Sequence, residues 1–193
     1  MSGCEGEPIT TIYLVRHAHA DWRDDEARQL SESGQAASQV VAELLSAFPI
    51  TTIYSSPYRR SIETAAPLAT RMGIGLELVP DLRERELPVV PPGEFNRAVE
   101  ATWHRPASAV AGGESNRDAQ TRGLAAVRGI LTQRLGQHVV VCTHGTLLTL
   151  ILNGLDSTFG FEFWRRLSFP DVYRVEFEGL TLARVQRIWE RDT

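Results

Sequence analysis

Short β-prone runs alternate with longer stretches of helical periodicity along most of this chain, and that alternation limits the folds open to it. Residues 9–15, 51–55, 76–79 and 139–143 read as strands, the last of them fully apolar. A helix starts at Ser31 as N-cap, carries Val40, Val41, Leu44, Leu45 and Phe48 on one face, and stops at Pro49. Ser56 and Pro57 are expected to open a second helix bearing Ile62, Ala65, Leu68, Ala69 and Met72, with Pro67 kinking or splitting it. Further helices are expected over about 115–135 and 146–153, and a terminal hairpin pairs 172–177 with 182–189 around Glu178 and Gly179. This order specifies an α/β, three-layer α/β/α sandwich with a mostly parallel central sheet. At 193 residues a single domain spanning 1–193 is expected, with core enough to bury roughly 70% of the unfolded surface.

Residues 85–113 break the pattern, through Pro88, Pro91, Pro92 and Pro106 and the glycines Gly93, Gly112 and Gly113. One short helix over 94–103 is expected inside this lid-like insertion, since long irregular segments in compact domains are often functional.

Charge and composition remove whole classes of chemistry. The net charge is −4, which leaves no general basic footprint for nucleic acid. All twenty basic residues are arginine, so a P-loop lysine, a Schiff-base lysine and a Ser-Lys dyad are excluded together. Cys4 and Cys142 make no disulfide framework and are expected as free thiols. No charged-then-apolar leader opens the chain, and its most apolar stretch, 147–152, is too short to span a bilayer. A cytoplasmic protein without membrane partners is the expectation.

In parallel α/β sheets ligands bind at the carboxyl ends of the strands. The first strand ends in Arg16 and His17, the second in Ser55, Ser56 and Pro57 with Arg59 and Arg60 one turn on, and the apolar strand in Thr143, His144 and Gly145. Two histidines and at least two arginines thus converge where helix N-termini point free N–H groups, which suits a phosphate dianion. A histidine can attack phosphorus and split one hard step into two, and flanking arginines favour its neutral form. A carboxylic acid must then serve the departing alkoxide, and Glu84 and Glu86, each bracketed by arginine, are the two candidates.

Those residues carry a resemblance. Leu14-Val15-Arg16-His17-Ala18 resembles the Arg-His-Gly signature of the histidine phosphatase superfamily, the phosphoglycerate-mutase-like proteins. Leu30-Ser31-Glu32-Ser33-Gly34, the run from Ser55 through Arg60 to Ala65, Leu82-Arg83-Glu84, Gly112-Gly113-Glu114-Ser115 and Thr143-His144-Gly145 match its later motifs in order, over nearly the whole chain. The resemblance implies a metal-independent phosphomonoester hydrolase with a phosphohistidine on His17 and Glu84 as general acid/base. It makes Arg16, Arg60, His144 and Gly145 the phosphate ligands, His144 also a catalytic residue, and requires no cofactor. A small phosphorylated metabolite is the implied partner.

The chain departs from the family pattern in three places. Ala18 replaces the usual glycine, and His19-Ala20-Asp21-Trp22-Arg23 stands where Glu-Thr-x-Trp-Asn is customary. Glu86-Leu87-Pro88 replaces Gly-x-Trp-Glu-Gly. His19, Arg23 and His104 are therefore candidate substrate contacts. Three other readings compete. A phosphoglycerate mutase would carry a basic insertion after the acid motif, where this chain has only Arg85, Arg97 and Arg105. His17, His19 and Asp21 fit the His-x-His-x-Asp run of metal-dependent hydrolases, although Arg16 would repel a dication there. A non-catalytic phosphate-binding module is the third, disfavoured by the joint presence of Arg16, His17, Arg60, Glu84 and His144.

Overall fold

β-branched and aromatic side chains fill the run ITTIYLVR, and in the computed structural model it becomes β1 (Ile9–Arg16), a central strand buried on both faces. Residues 7–21, 27–88, 93–109 and 112–190 are described. They form one sheet from β1, β2 (Ile50–Ser55), β3 (Leu76–Leu78), β4 (His138–Thr143), β5 (Asp171–Glu178) and β6 (Thr181–Arg187), in the order β3-β2-β4-β1-β5-β6. The first four in that order are parallel; β5 and β6 are antiparallel additions at one edge. The sheet is thus mostly parallel, as expected.

Alternate residues of the strands feed two cores. Ile12, Leu14, Val139 and Val141 face α4 (Asn116–Gln133) and α5 (Gly145–Leu155), meeting Val127, Leu131, Leu148 and Ile151. Tyr13, Val15, Val140 and Cys142 face α1 (Glu32–Ser46) and α2 (Arg59–Met72), meeting Val41, Ala42, Leu45 and Leu68. Helices on both faces of the sheet make the three-layer sandwich.

Several local expectations meet corrections. Ser31 does cap α1, its Oγ accepting from Gly34 N–H at 3.1 Å. Val40, however, is 53% exposed, because the buried stripe runs through Ser38, Val41, Ala42 and Leu45 and position 40 turns about 100° away from 41. Ser56 and Pro57 do not open α2; Tyr58 is its N-cap, and Ser56 continues the sheet by donating its N–H to Cys142 O. α2 runs through Pro67 as one helix. The sequence expectations also lacked α6 (Phe161–Arg166), a six-residue turn too short to show periodicity.

The irregular 85–113 segment contains α3 (Phe95–His104), and its two ends meet where Glu114 N–H donates to Glu86 O at 2.8 Å. Cys142 is a free thiol whose burial pushes it up to about 12. Cys4, Trp22, Arg23, Pro91 and Pro92 lie outside the described residues. No helix among those described is long and apolar enough to cross a membrane.

Candidate active site

Register places the site. Arg16 pairs with Thr143 across β1 and β4, and Ser55 with Cys142 across β2 and β4. The residue after each strand end therefore falls beside its neighbours, which brings His17, Ser56 and His144 together. They underlie or line a cleft of about 750 Å³ whose walls include Arg16, His17, Arg28, Tyr58, Arg60, Glu84, Thr146 and Phe169.

Two fixed partners decide the tautomer of His17. Its Nδ1 lies 2.7 Å from the Ala18 carbonyl, which can only accept, and Arg60 Nε–H, which can only donate, reaches its Nε2 at 3.2 Å. Nδ1 therefore carries the proton, and the Nε2 lone pair faces the arginines of the cleft. Burial, and next the Arg60 charge, hold the imidazole well below its ordinary value, with Arg16 and Arg28 adding to the effect against the Ala18 hydrogen bond. A neutral imidazole with one directed lone pair is the form a nucleophile needs.

His144 is fully buried behind His17, with ring centroids 5.1 Å apart, and is not itself a wall of the cleft. Ser56 Oγ accepts from Tyr58 N–H at 3.2 Å, so its own hydrogen is available for His144 Nε2 at 2.7 Å. His144 Nδ1 has no hydrogen-bond partner among the described residues. Burial, then His17 and Arg60, keep this ring neutral too. A second orphan is Arg16 Nε; the same guanidinium donates through Nη1 to Leu167 O and Ser168 O and stacks on Phe169 at 3.4 Å. Burial brings Arg16 down to about 10, still a cation at neutral pH. A buried donor without an acceptor costs about 1–3 kcal/mol, so the unpartnered Arg16 Nε suits an anion bound beside it.

Two motif glycines now have physical reasons. A Cβ on Gly145 would sit 2.9 Å from Arg16 Nε and 3.0 Å from its Cζ, so only glycine lets the guanidinium cross the start of α5. A Cβ on Gly34 would collide with the His19 carbonyl oxygen, which receives Ser31 N–H at 3.1 Å.

Glu84 is anchored rather than free. Its Oε1 accepts from Arg85 N–H (2.9 Å) and Leu147 N–H (3.0 Å), and its Oε2 from Thr146 N–H (3.1 Å). The carboxylate thus caps α5 at the edge of the cleft. Its loop is held by Arg122, which donates to the carbonyls of Asp81, Arg83 and Glu84 while pairing with Glu114 at 2.7 Å. Burial alone would raise Glu114, but Arg122 outweighs it and holds the carboxyl below its usual range. Glu86 lines the cleft too, but it is exposed and lies 3.8 Å from Arg83.

Of the neighbouring arginines, Arg60 is buried against His17 while Arg59 reaches outward to Glu63 at 2.6 Å. His19 sits on the exposed rim, its Nδ1 2.8 Å from Ser31 Oγ. His104 is exposed at the end of α3 and is not among the cleft residues; Arg23 lies outside the described residues. The three-ligand metal arrangement does not assemble: His19 turns its Nδ1 to Ser31, and the described residues contain no metal-capable cluster. Arg28 is a residue that sequence reasoning missed: its charge acts on Arg16, His17 and His144, yet no motif pointed to it. Arg122 and Ser56 were missed as well, because their roles exist only across long sequence separations.

Comparison with known proteins agrees with this geometry. The family model described as "Histidine phosphatase superfamily (branch 1)" matches residues 12–181. "Phosphoglycerate mutase-like protein 4" of Arabidopsis thaliana is 32% identical over 160 residues, covering 71% of this chain and 67% of that protein. Among solved structures, "Mycobacterial hydrolase 1" superposes with a TM-score of 0.78 at 21% identity, over 96% of this chain and 100% of its own. A mycobacterial glucosyl-3-phosphoglycerate phosphatase gives 0.75 at 21% identity, over 93% and 97%. At that identity the two structures show a shared fold. The chain belongs to the histidine phosphatase superfamily, whose members near it include phosphatases and mutase-like proteins.

Proposed function

We propose, with membership of this superfamily as premise, that the chain is a metal-independent phosphomonoester hydrolase. The observation that carries the reading is the locked tautomer of His17, whose Nε2 lone pair is aimed among Arg16, Arg28 and Arg60. His17 Nε2 attacks phosphorus in line, and the ester oxygen leaves with the bonding pair, taking a proton from Glu84. Water, deprotonated by Glu84, then breaks the N–P bond, releasing inorganic phosphate and returning His17 to its starting form. Arg16 and Arg60 supply donors for the equatorial oxygens, where charge spreads in the transition state, and His144 backs His17 from behind. Gly145 lets Arg16 reach that position.

Hydrolysis is favoured over mutase chemistry by the segment after the acid. Of Arg85, Arg97 and Arg105, only Arg85 reaches the cleft, and its Nη1 donates to Thr102 Oγ1 and Asn116 Oδ1. One arginine from this segment is a poorer clamp for a bisphosphorylated acid than a basic insertion.

The test is p-nitrophenyl phosphate hydrolysis in excess EDTA, for wild type and His17→Ala. The expected result is EDTA-resistant turnover in the wild type, falling at least about 10⁴-fold in the variant. Turnover abolished by EDTA and restored by zinc would overturn it, as would undiminished activity in His17→Ala.

A further inference from the structure

The cleft has a second end that the phosphate chemistry does not use. Away from the phosphate ligands its walls are Leu87, Pro88, Phe95 and Trp164, from the 85–113 segment, α3 and α6, and Phe169, in the turn before β5, borders His17 with ring centroids 5.5 Å apart. Phe95 and Phe169 are 41% and 46% exposed, among the few large apolar side chains open to solvent, and both open into this cleft. Phe95 and Trp164 meet across the α3–α6 gap with ring centroids 6.2 Å apart, and Phe161 stacks on Trp164 at 5.6 Å.

Phe169 is open yet held in place. Arg16 lies on one face of its ring and binds the carbonyls just before it. Asp171, completely buried, accepts from Ser168 N–H at 3.0 Å and pairs with Arg187 at 2.8 Å. A preorganised apolar surface beside a polar anchor is the composition of a ligand site, whereas scattered exposed apolar residues need no explanation. Glu86 and Arg85 also line the cleft, Arg85 donating through Nη1 to Thr102 and Asn116. Such a wall stabilises a flat apolar ring.

Building on the phosphatase reading above, we propose that the leaving alcohol of the substrate is a ring-bearing one, seated against Phe95, Trp164 and Phe169. The substrate class is therefore a phosphomonoester with an apolar ring a few bonds from phosphorus. A phosphorylated sugar acid offers no such ring to this wall.

The test compares 2-phenylethyl phosphate, ethyl phosphate and 3-phosphoglycerate. All three are alkyl esters, so differences report recognition more than leaving-group basicity. Wild type is expected to favour the phenylethyl ester over ethyl phosphate by about tenfold or more in kcat/KM, with 3-phosphoglycerate below the phenylethyl ester. Trp164→Ala and Phe95→Ala should each cut the phenylethyl-to-ethyl ratio about threefold to tenfold, while Val40→Ala on the outer face of α1 keeps it. Because Trp164 also packs on the core, Phe95→Ala, at an exposed position, carries the result if Trp164→Ala folds poorly. A ratio near one in wild type, an unchanged ratio in both variants, or a preference for 3-phosphoglycerate would overturn the proposal. The acid and base stability of label on the quenched protein separates the two levels. Base-stable, acid-labile phosphohistidine formed without ring preference defeats only the substrate class, and its absence during turnover defeats the hydrolase reading beneath it.

Discussion

At the phosphate end of the cleft, His17, Ser56 and His144 each stand one residue beyond a strand end, and β1, β2 and β4 are locked in register beneath them. The apolar wall comes from α3 and α6, joined by a ring contact, and from Phe169 in the turn before β5, which borders His17. The first region is buried, and its donors have one geometry each; the second offers area and shape. A sheet edge fixes positions to the precision that phosphoryl transfer needs, whereas an apolar wall tolerates variation, so one scaffold can keep its chemistry and change its substrate.

The comparison can be broken hardest at Arg60. Arg60→Ala removes a buried donor from His17 and is expected to lower kcat by about 10³-fold, measured on an aryl phosphate.

Arg122→Met tests whether the acid depends on its distant clamp. It strips the partner from Glu114 in a pair whose side chains are 11% and 13% exposed, so a loss of about 3 kcal/mol in urea unfolding is expected. It also frees the carbonyls of Asp81, Arg83 and Glu84. Turnover of alkyl phosphates, which need the proton, should then fall more than that of aryl phosphates; equal losses would show that Arg122 serves the fold alone.

Acid should weaken the buried region selectively. His17 and His144 are held well below their ordinary value, so below about pH 6.5 the unfolded chain binds protons that the folded one refuses. Stability is therefore greater above that pH and lost as the pH falls, by about 1.4 kcal/mol per pH unit for each histidine between its two values. Urea midpoints at pH 7.0 and 5.5 measure the slope, and His144→Gln should flatten it. The smallest effect belongs to Arg59→Ala, whose exposed pair with Glu63 contributes below about 0.5 kcal/mol and whose loss should leave turnover near wild type.

Strand and helix order, the three-layer class and the strand-end residues were legible in the chain, because period-2 and period-3.6 patterns and turn residues are local properties. His17, His144, Arg60 and Glu84 stood in contiguous motifs at those ends. Even there Ser56 was misread as a helix cap, since its partner His144 is 88 residues away. The motif selected Arg60 over Arg59, and the structure turns Arg60 inward, but the Arg122 clamp and the charge of Arg28 on His17 depended on chain segments meeting in space. The aromatic wall is the extreme case: Phe95, Trp164 and Phe169 share no motif and no period. Local patterns record what a residue's neighbours in sequence demand, while hydrogen bonds, desolvation and ring contacts are set by neighbours in space, and those exist only once the sheet has closed.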